Sequence, residues 1–197
     1  MRHFVTDSDR LEAFSDGVMA VIITIMVLEL HPPQAASLGA LAHVWPTFAA
    51  YLLSFIFVGI YWNNHHHMLR AAKSIDGRVM WANLHLLFWI SLVPFTTAWL
   101  GQHPQSVGPT VVYGAVLLFC ALAYIVLQVS LLHVTGRDTA FAKAIKTDVK
   151  GLASLALYVA ALGLAFFSTR ASDAIFVIVA LIWLVPDRRL EPVIRSS

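Results

Sequence analysis

The chain has 197 residues, of which 59% are hydrophobic and only 12% charged, about half the charged share of an ordinary soluble domain. So little polar surface cannot cover a water-soluble globule, and a net charge of +2 with its cations kept off the apolar runs is no nucleic-acid footprint. The one cysteine, Cys120, sits inside an apolar stretch and excludes both an internal disulfide and a metal site built on thiolates. The expectation is an all-α, polytopic membrane protein forming a single six-helix transmembrane unit over residues 1–197.

A hydrocarbon core roughly 30 Å thick needs about 20 apolar residues per helix. Runs of that scale fall at about 10–30, 42–66, 79–100, 109–133, 151–169 and 171–186. The first, Gly17 to Leu28 at its apolar centre, has the length of a secretory h-region. However, an acidic lead-in of Asp7, Asp9, Glu12 and Asp16 replaces the basic n-region, so it reads as a retained helix. The last two runs are short, and Ser168 to Asp173 leaves them a tight connection. Pro94 predicts a kink in the third.

Charge alternates between the breaks. Arg2, Arg10, Arg70, Lys73, Arg78, Arg137, Lys143, Lys146, Lys150, Arg188, Arg189 and Arg195 all fall on one side of the predicted spans, leaving Arg170 as the exception. By the positive-inside rule both termini and the two basic loops are cytoplasmic, which an even count of six spans permits. The expected location is a prokaryotic plasma membrane. Trp45, Trp62, Trp81 and Trp99 near span ends read as interfacial anchors.

Asp9-Arg10-Leu11-Glu12 has the spacing of a capping box and predicts that the first helix starts at Arg10 and ends at Leu30, before His31-Pro32-Pro33. This helix carries Ser15, Asp16, Thr24 and Glu29, more polarity than lipid tolerates cheaply, so those groups should face protein or water. At about 100° per residue, Ala13, Gly17, Val21, Thr24, Leu28 and His31 share a stripe about 80° wide. Copies of the helix around an axis would turn that stripe into a wide vestibule, an apolar neck with a ring of hydroxyls, and an outer mouth. Alternatively, small residues at this spacing make a tight helix-packing seam.

From Arg10 through Phe14, Ser15 and Asp16, and on through Val21, Thr24 and Leu28 to Leu30, the chain resembles the transmembrane protein 175 family of potassium channels. The RxxxFSD pattern opening the first span is the specific signature. Tyr61-Trp62-Asn63-Asn64-His65-His66, Asn83-Leu84 and Pro94-Phe95-Thr96 extend the match over the first half of the chain. The resemblance implies a passive potassium-selective channel, not an enzyme, with no cofactor and potassium as the permeant ion. It implies a homotetramer in lipid, with the pore lined by the first helix and constricted at Val21, Thr24 and Leu28. Val21 departs from the family, which often has the larger Ile there.

Arg10, Phe14, Ser15 and Asp16 do not share the stripe as a set. They are assigned to a polar clasp at the cytoplasmic interface, in which Ser15 and Asp16 hold His66, Asn83 or a neighbouring Arg and fix the pore helix. The other reading of Asp16 is direct ion coordination. For Thr24 the alternative to a pore hydroxyl is a bond back to the Ala20 carbonyl. His65, His66 and His67 point about 100° apart on a helix, which suits caps and hydrogen bonds and not a metal site. Glu29 and His31 could gather cations at the outer end. A secondary transporter or proton-coupled exchanger is the rival function, but it calls for polar breaks in several spans, whereas polarity here is concentrated in one.

Overall fold

The computed structural model describes residues 7–70, 75–136 and 148–184. These residues form helices joined by short connections: α1 (Asp7–Leu28), a 3-10 turn (Leu38–Ala40), α2 (Leu41–Arg70), α3 (Gly77–Ser91), α4 (Val93–Gln102), α5 (Val107–Thr135), α6 (Val149–Leu164) and α7 (Thr169–Leu184). Among the described residues four stretches are long and apolar enough to cross a bilayer: Ser8–Leu28, Leu38–Arg70, Gly77–Gln102 and Val107–Thr135. The protein is therefore an all-helical multi-pass membrane protein, with α3 and α4 as two halves of one span. At 16 residues each, α6 and α7 are shorter, and the predicted end of the last run at 186 lies outside the described residues.

The break in the third span has a local cause. Leu92 separates α3 from α4, and Pro94 follows as the second residue of α4, where its missing N–H costs least. Asp76 caps α3 by accepting from the Val79 amide, and Asp148 caps α6 by accepting from that of Gly151.

The start of α1 corrects the capping-box expectation. The helix is already formed at Asp7, so Asp9 lies inside it, and Glu12 reaches α2 instead of its own backbone. The helix also stops at Leu28, two residues short of Leu30.

Two apolar clusters share α5. One gathers Met19, Ile22, Met26, Leu86 and Ile90 from α1 and α3 around Cys120 and Leu127; the other gathers Phe57, Tyr158 and Phe176 from α2, α6 and α7 around Tyr113 and Leu117. Lipid is as apolar as leucine, so close packing and hydrogen bonds must hold such helices together. Glycine supplies the closest approaches: a Cβ on Gly101 would stand 2.7 Å from the Thr47 Cα, and one on Gly114 2.7 Å from the Phe176 ring. A buried chain from Thr97 to Ser54 (2.6 Å) and on to Tyr113 (2.9 Å) ties α4, α2 and α5.

Arg10, Arg70, Arg78 and Lys150 fall at the end of the bundle where α1 begins and α2 ends, here called the near end. Arg170 holds Gln105 at the opposite, far end. Arg2, Lys73, Arg137, Lys143, Lys146, Arg188, Arg189 and Arg195 lie outside the described residues.

Candidate functional site

Helix α1 is anchored on one face only. Leu11, Ser15, Met19, Ile22 and Met26 are buried, whereas Ala13, Gly17, Val21, Thr24 and Leu28 are all exposed on the subunit. Val21 is 56% and Leu28 75% exposed. Only 22% of the most apolar part of α1 is buried, the same share as in α2, against 39% for α5 and 50% for the α3/α4 span. The stripe picked out by helical periodicity is thus the unpartnered face. His31, also exposed, bonds through Nδ1 to the Glu29 carbonyl.

Thr24 donates its hydroxyl proton to the Val21 carbonyl at 2.8 Å, three residues back, and not to that of Ala20, which was the alternative to a pore-facing hydroxyl. Donation to its own helix leaves both lone pairs of the exposed hydroxyl oxygen free to accept. The bond therefore leaves the oxygen open to an acceptor role on the exposed face of the helix.

On the opposite face, about 180° from Thr24, Ser15 enters a fully buried chain. His65 Nε2 donates to Asn83 Oδ1 at 2.6 Å, Asn83 Nδ2 donates to Ser15 Oγ at 2.9 Å, and Ser15 donates to the Leu11 carbonyl at 2.8 Å. Every proton direction is fixed by the amide in the middle. The chain links α2, α3 and α1, with His65 the member that sequence reasoning passed over. The adjacent histidines gave no signal for it, because only the position of Asn83 decides which of the three is buried.

The remaining expected members are elsewhere. His66 does not join Ser15 or Asp16; its Nδ1 lies against Glu12, with the Arg70 guanidinium 3.9 Å from the same carboxylate. Asp16 accepts from the Trp62 indole N–H at 3.0 Å, so Trp62 is more than an interfacial anchor, and its ring stacks on His66. Arg10 is exposed at the near end, and Phe14 is exposed along the flank of the stripe. Among the described residues no three His, Cys, Asp or Glu side chains converge as a metal site would require.

Between α1 and α4 runs an open apolar groove of about 1070 Å³. Phe14, Val18, Ile25 and Phe95 line it, with Glu29 and Gln102 at its far end.

The sequence profile of the family described as "Endosomal/lysosomal potassium channel TMEM175" matches residues 10–94. A protein named potassium channel from Chryseobacterium sp. (strain P1-3) is 44% identical over 188 residues, covering 95% of this chain and 98% of its own. Another so named, from Streptomyces collinus, is 38% identical over 128 residues, covering 61% of this chain and 62% of its own. The fold is similar to the crystal structure of a lysosomal potassium-selective channel TMEM175 homolog from Chamaesiphon minutus. The TM-score is 0.79 at 31% identity, covering 91% of this chain and 97% of that one.

Proposed function

The chain belongs to the TMEM175 family of ion channels, and from that premise we propose that it conducts potassium passively through a pore lined by α1 at the centre of a homotetramer. Each chain contributes one six-helix unit. The basic near end faces the cytoplasm of a prokaryotic cell, as do both termini. The observation that carries this reading is the division of α1 into an anchored face and a bare one, since a helix with Val21, Thr24 and Leu28 uncovered still lacks its partners.

Four copies with these residues turned inward make a short constriction. Val21 and Leu28 form apolar rings that resist wetting when narrow, and the Thr24 ring between them offers hydroxyl oxygens to an ion that has shed part of its water. No backbone-carbonyl loop takes part. Below the constriction Ala13 and Gly17 leave room for a hydrated ion. The His65–Asn83–Ser15 chain holds the lower half of α1 from behind, and Asp16, held by Trp62, stands beside the near-end mouth. These polar groups position the pore helix; the permeating ion meets Thr24.

The test is purified protein in liposomes loaded with potassium against an inward sodium gradient. Fast, unsaturated potassium efflux is the expected result. Slow, saturating efflux that depends on a counter-ion would identify a transporter instead.

A further inference from the structure

Helix α7 carries a carboxylate, Asp173, whose Oδ1 is enclosed and has no hydrogen-bond partner. An ionisable group left unpaired inside a membrane protein is costly, and it marks a site unless a partner is found for it. Two hydroxyls share its condition. Thr110 on α5 and Ser172 on α7 are fully buried, and neither Oγ1 of the one nor Oγ of the other has a partner. A helix offers every serine and threonine the carbonyl one turn back, and Ser15, Thr96, Ser130 and Ser154 all take it. Thr110 and Ser172 do not.

The three oxygens fall at one level. Helices α5 and α7 both begin at the far end, where Arg170 on α7 holds Gln105 just before α5. Their register is set by Tyr113 against Phe176, with ring centroids 5.4 Å apart, beside Gly114, which lets the Phe176 ring onto the α5 backbone. Thr110 stands three residues before Tyr113, and Ser172 and Asp173 stand four and three before Phe176. All therefore lie one turn farther out on the faces that meet. Asp173 is close enough to Tyr113 to act on it electrostatically. The nearest cation in sequence, Arg170, is turned to Gln105 through Nε and Nη2 and leaves Asp173 Oδ1 unpaired.

We propose that Thr110 Oγ1, Ser172 Oγ and Asp173 Oδ1 bind one alkali cation, potassium or sodium, at the far end of each subunit. All three are hard oxygen donors, the kind that such ions take. Oxygens that share a cation stand too far apart to bond with one another, which accords with the absence of any hydrogen bond among these. The single carboxylate balances one positive charge and would leave a divalent ion under-neutralised. Water alone would satisfy the hydrogen bonds but leave a negative charge enclosed among apolar groups. Asp173 is only half-buried, which gives the ion a way in and room for water to complete its shell. The site stands apart from the proposed pore, because α7 packs on α2, α5 and α6, whereas Val21, Thr24 and Leu28 belong to α1. Bound there, the ion pins the start of α7 to α5.

The experiment compares thermal melting of the purified full chain in potassium chloride, sodium chloride and N-methylglucamine chloride at equal ionic strength. Wild-type protein should melt several degrees higher in at least one alkali salt than in N-methylglucamine chloride. Asp173→Asn should lose that shift and Thr24→Ala should keep it. Thr110→Val preserves the side-chain shape and removes one oxygen, so it should need a several-fold higher concentration of the same cation for half the shift; it also serves if Asp173→Asn does not fold. No shift in wild-type protein, or one unchanged in both Asp173→Asn and Thr110→Val, overturns the site. A shift lost in Thr24→Ala and kept in Asp173→Asn would put the ion in the pore, overturning this site and leaving the pore reading standing. A high-resolution structure in the stabilising salt that shows only water between the three oxygens, or Arg170 paired with Asp173, also overturns it.

Discussion

Asn83 reaches from α3 to α1 and places its amide N–H 2.9 Å from the Ser15 hydroxyl, on the face of the helix directly behind Thr24. Both residues are fully buried, and the same Asn83 accepts a hydrogen bond from the His65 N–H through Oδ1 at 2.6 Å. In Asn83→Ala the His65 N–H loses its acceptor and Ser15 its donor. Leaving buried polar groups unpaired costs about 1–3 kcal/mol apiece, but hydrogen bonds inside membrane proteins average nearer 0.6 kcal/mol. The expected loss is therefore about 1–3 kcal/mol in total, visible as a lower melting temperature of the purified protein. Unchanged melting would show that the chain does not hold α1.

Thr24→Ala would remove the proposed hydroxyl ring and Thr24→Ser would keep it. In reversal-potential measurements on reconstituted channels the alanine variant should lose potassium over sodium discrimination by up to about tenfold, the equivalent of about 1.4 kcal/mol. The serine variant should retain most of it. Equal discrimination in both would place selectivity elsewhere than on this oxygen.

Val21→Phe tests the neck separately from folding. The side chain is 56% exposed on the subunit and belongs to neither buried apolar cluster, so the subunit's stability should change by no more than about 0.5 kcal/mol. In the proposed homotetramer, four phenyl rings at that level should nevertheless stop potassium flux. Full flux with intact assembly would remove Val21 from the constriction.

Two glycines in the same protein make opposite predictions. A Cβ on Gly101 meets the Thr47 backbone at 2.7 Å, so Gly101→Val should force α4 from α2, strain the bond from Thr47 to the Gly101 carbonyl, and cost about 1–3 kcal/mol. A Cβ on Gly17 meets nothing within 4 Å, and Gly17→Ala should leave thermal stability unchanged or slightly raised. Thermal melts of the two variants side by side check the contrast. Equal destabilisation would mean that the bare face of α1 is packed after all.

The spans were legible because apolar runs of bilayer length leave few alternatives, and Pro94 marked the break at Leu92. The stripe on α1 was legible from periodicity, since one face of a helix repeats every three or four residues. What the sequence concealed are contacts chosen by a second helix. Asp9 and Glu12 imitate a capping box, yet Glu12 belongs to His66 and Arg70 on α2. Asp16 was expected to find His66, Asn83 or an arginine and found the Trp62 indole, because tryptophan at a span end reads the same whether it anchors to lipid interface or donates to a carboxylate. His65 was hidden between two identical neighbours.

The most direct measurement of the central claim is the response of Thr24→Cys, in the Cys120→Ala background, to a small thiol-reactive cation such as methanethiosulfonate ethylammonium during potassium flux from liposomes. If four copies of α1 surround the ion path, flux should fall steeply on reaction, high potassium should slow that reaction, and the Cys120→Ala parent should be unaffected. A cysteine at this position that reacts with no change in flux, or that no water-soluble reagent reaches in a conducting tetramer, would contradict the account.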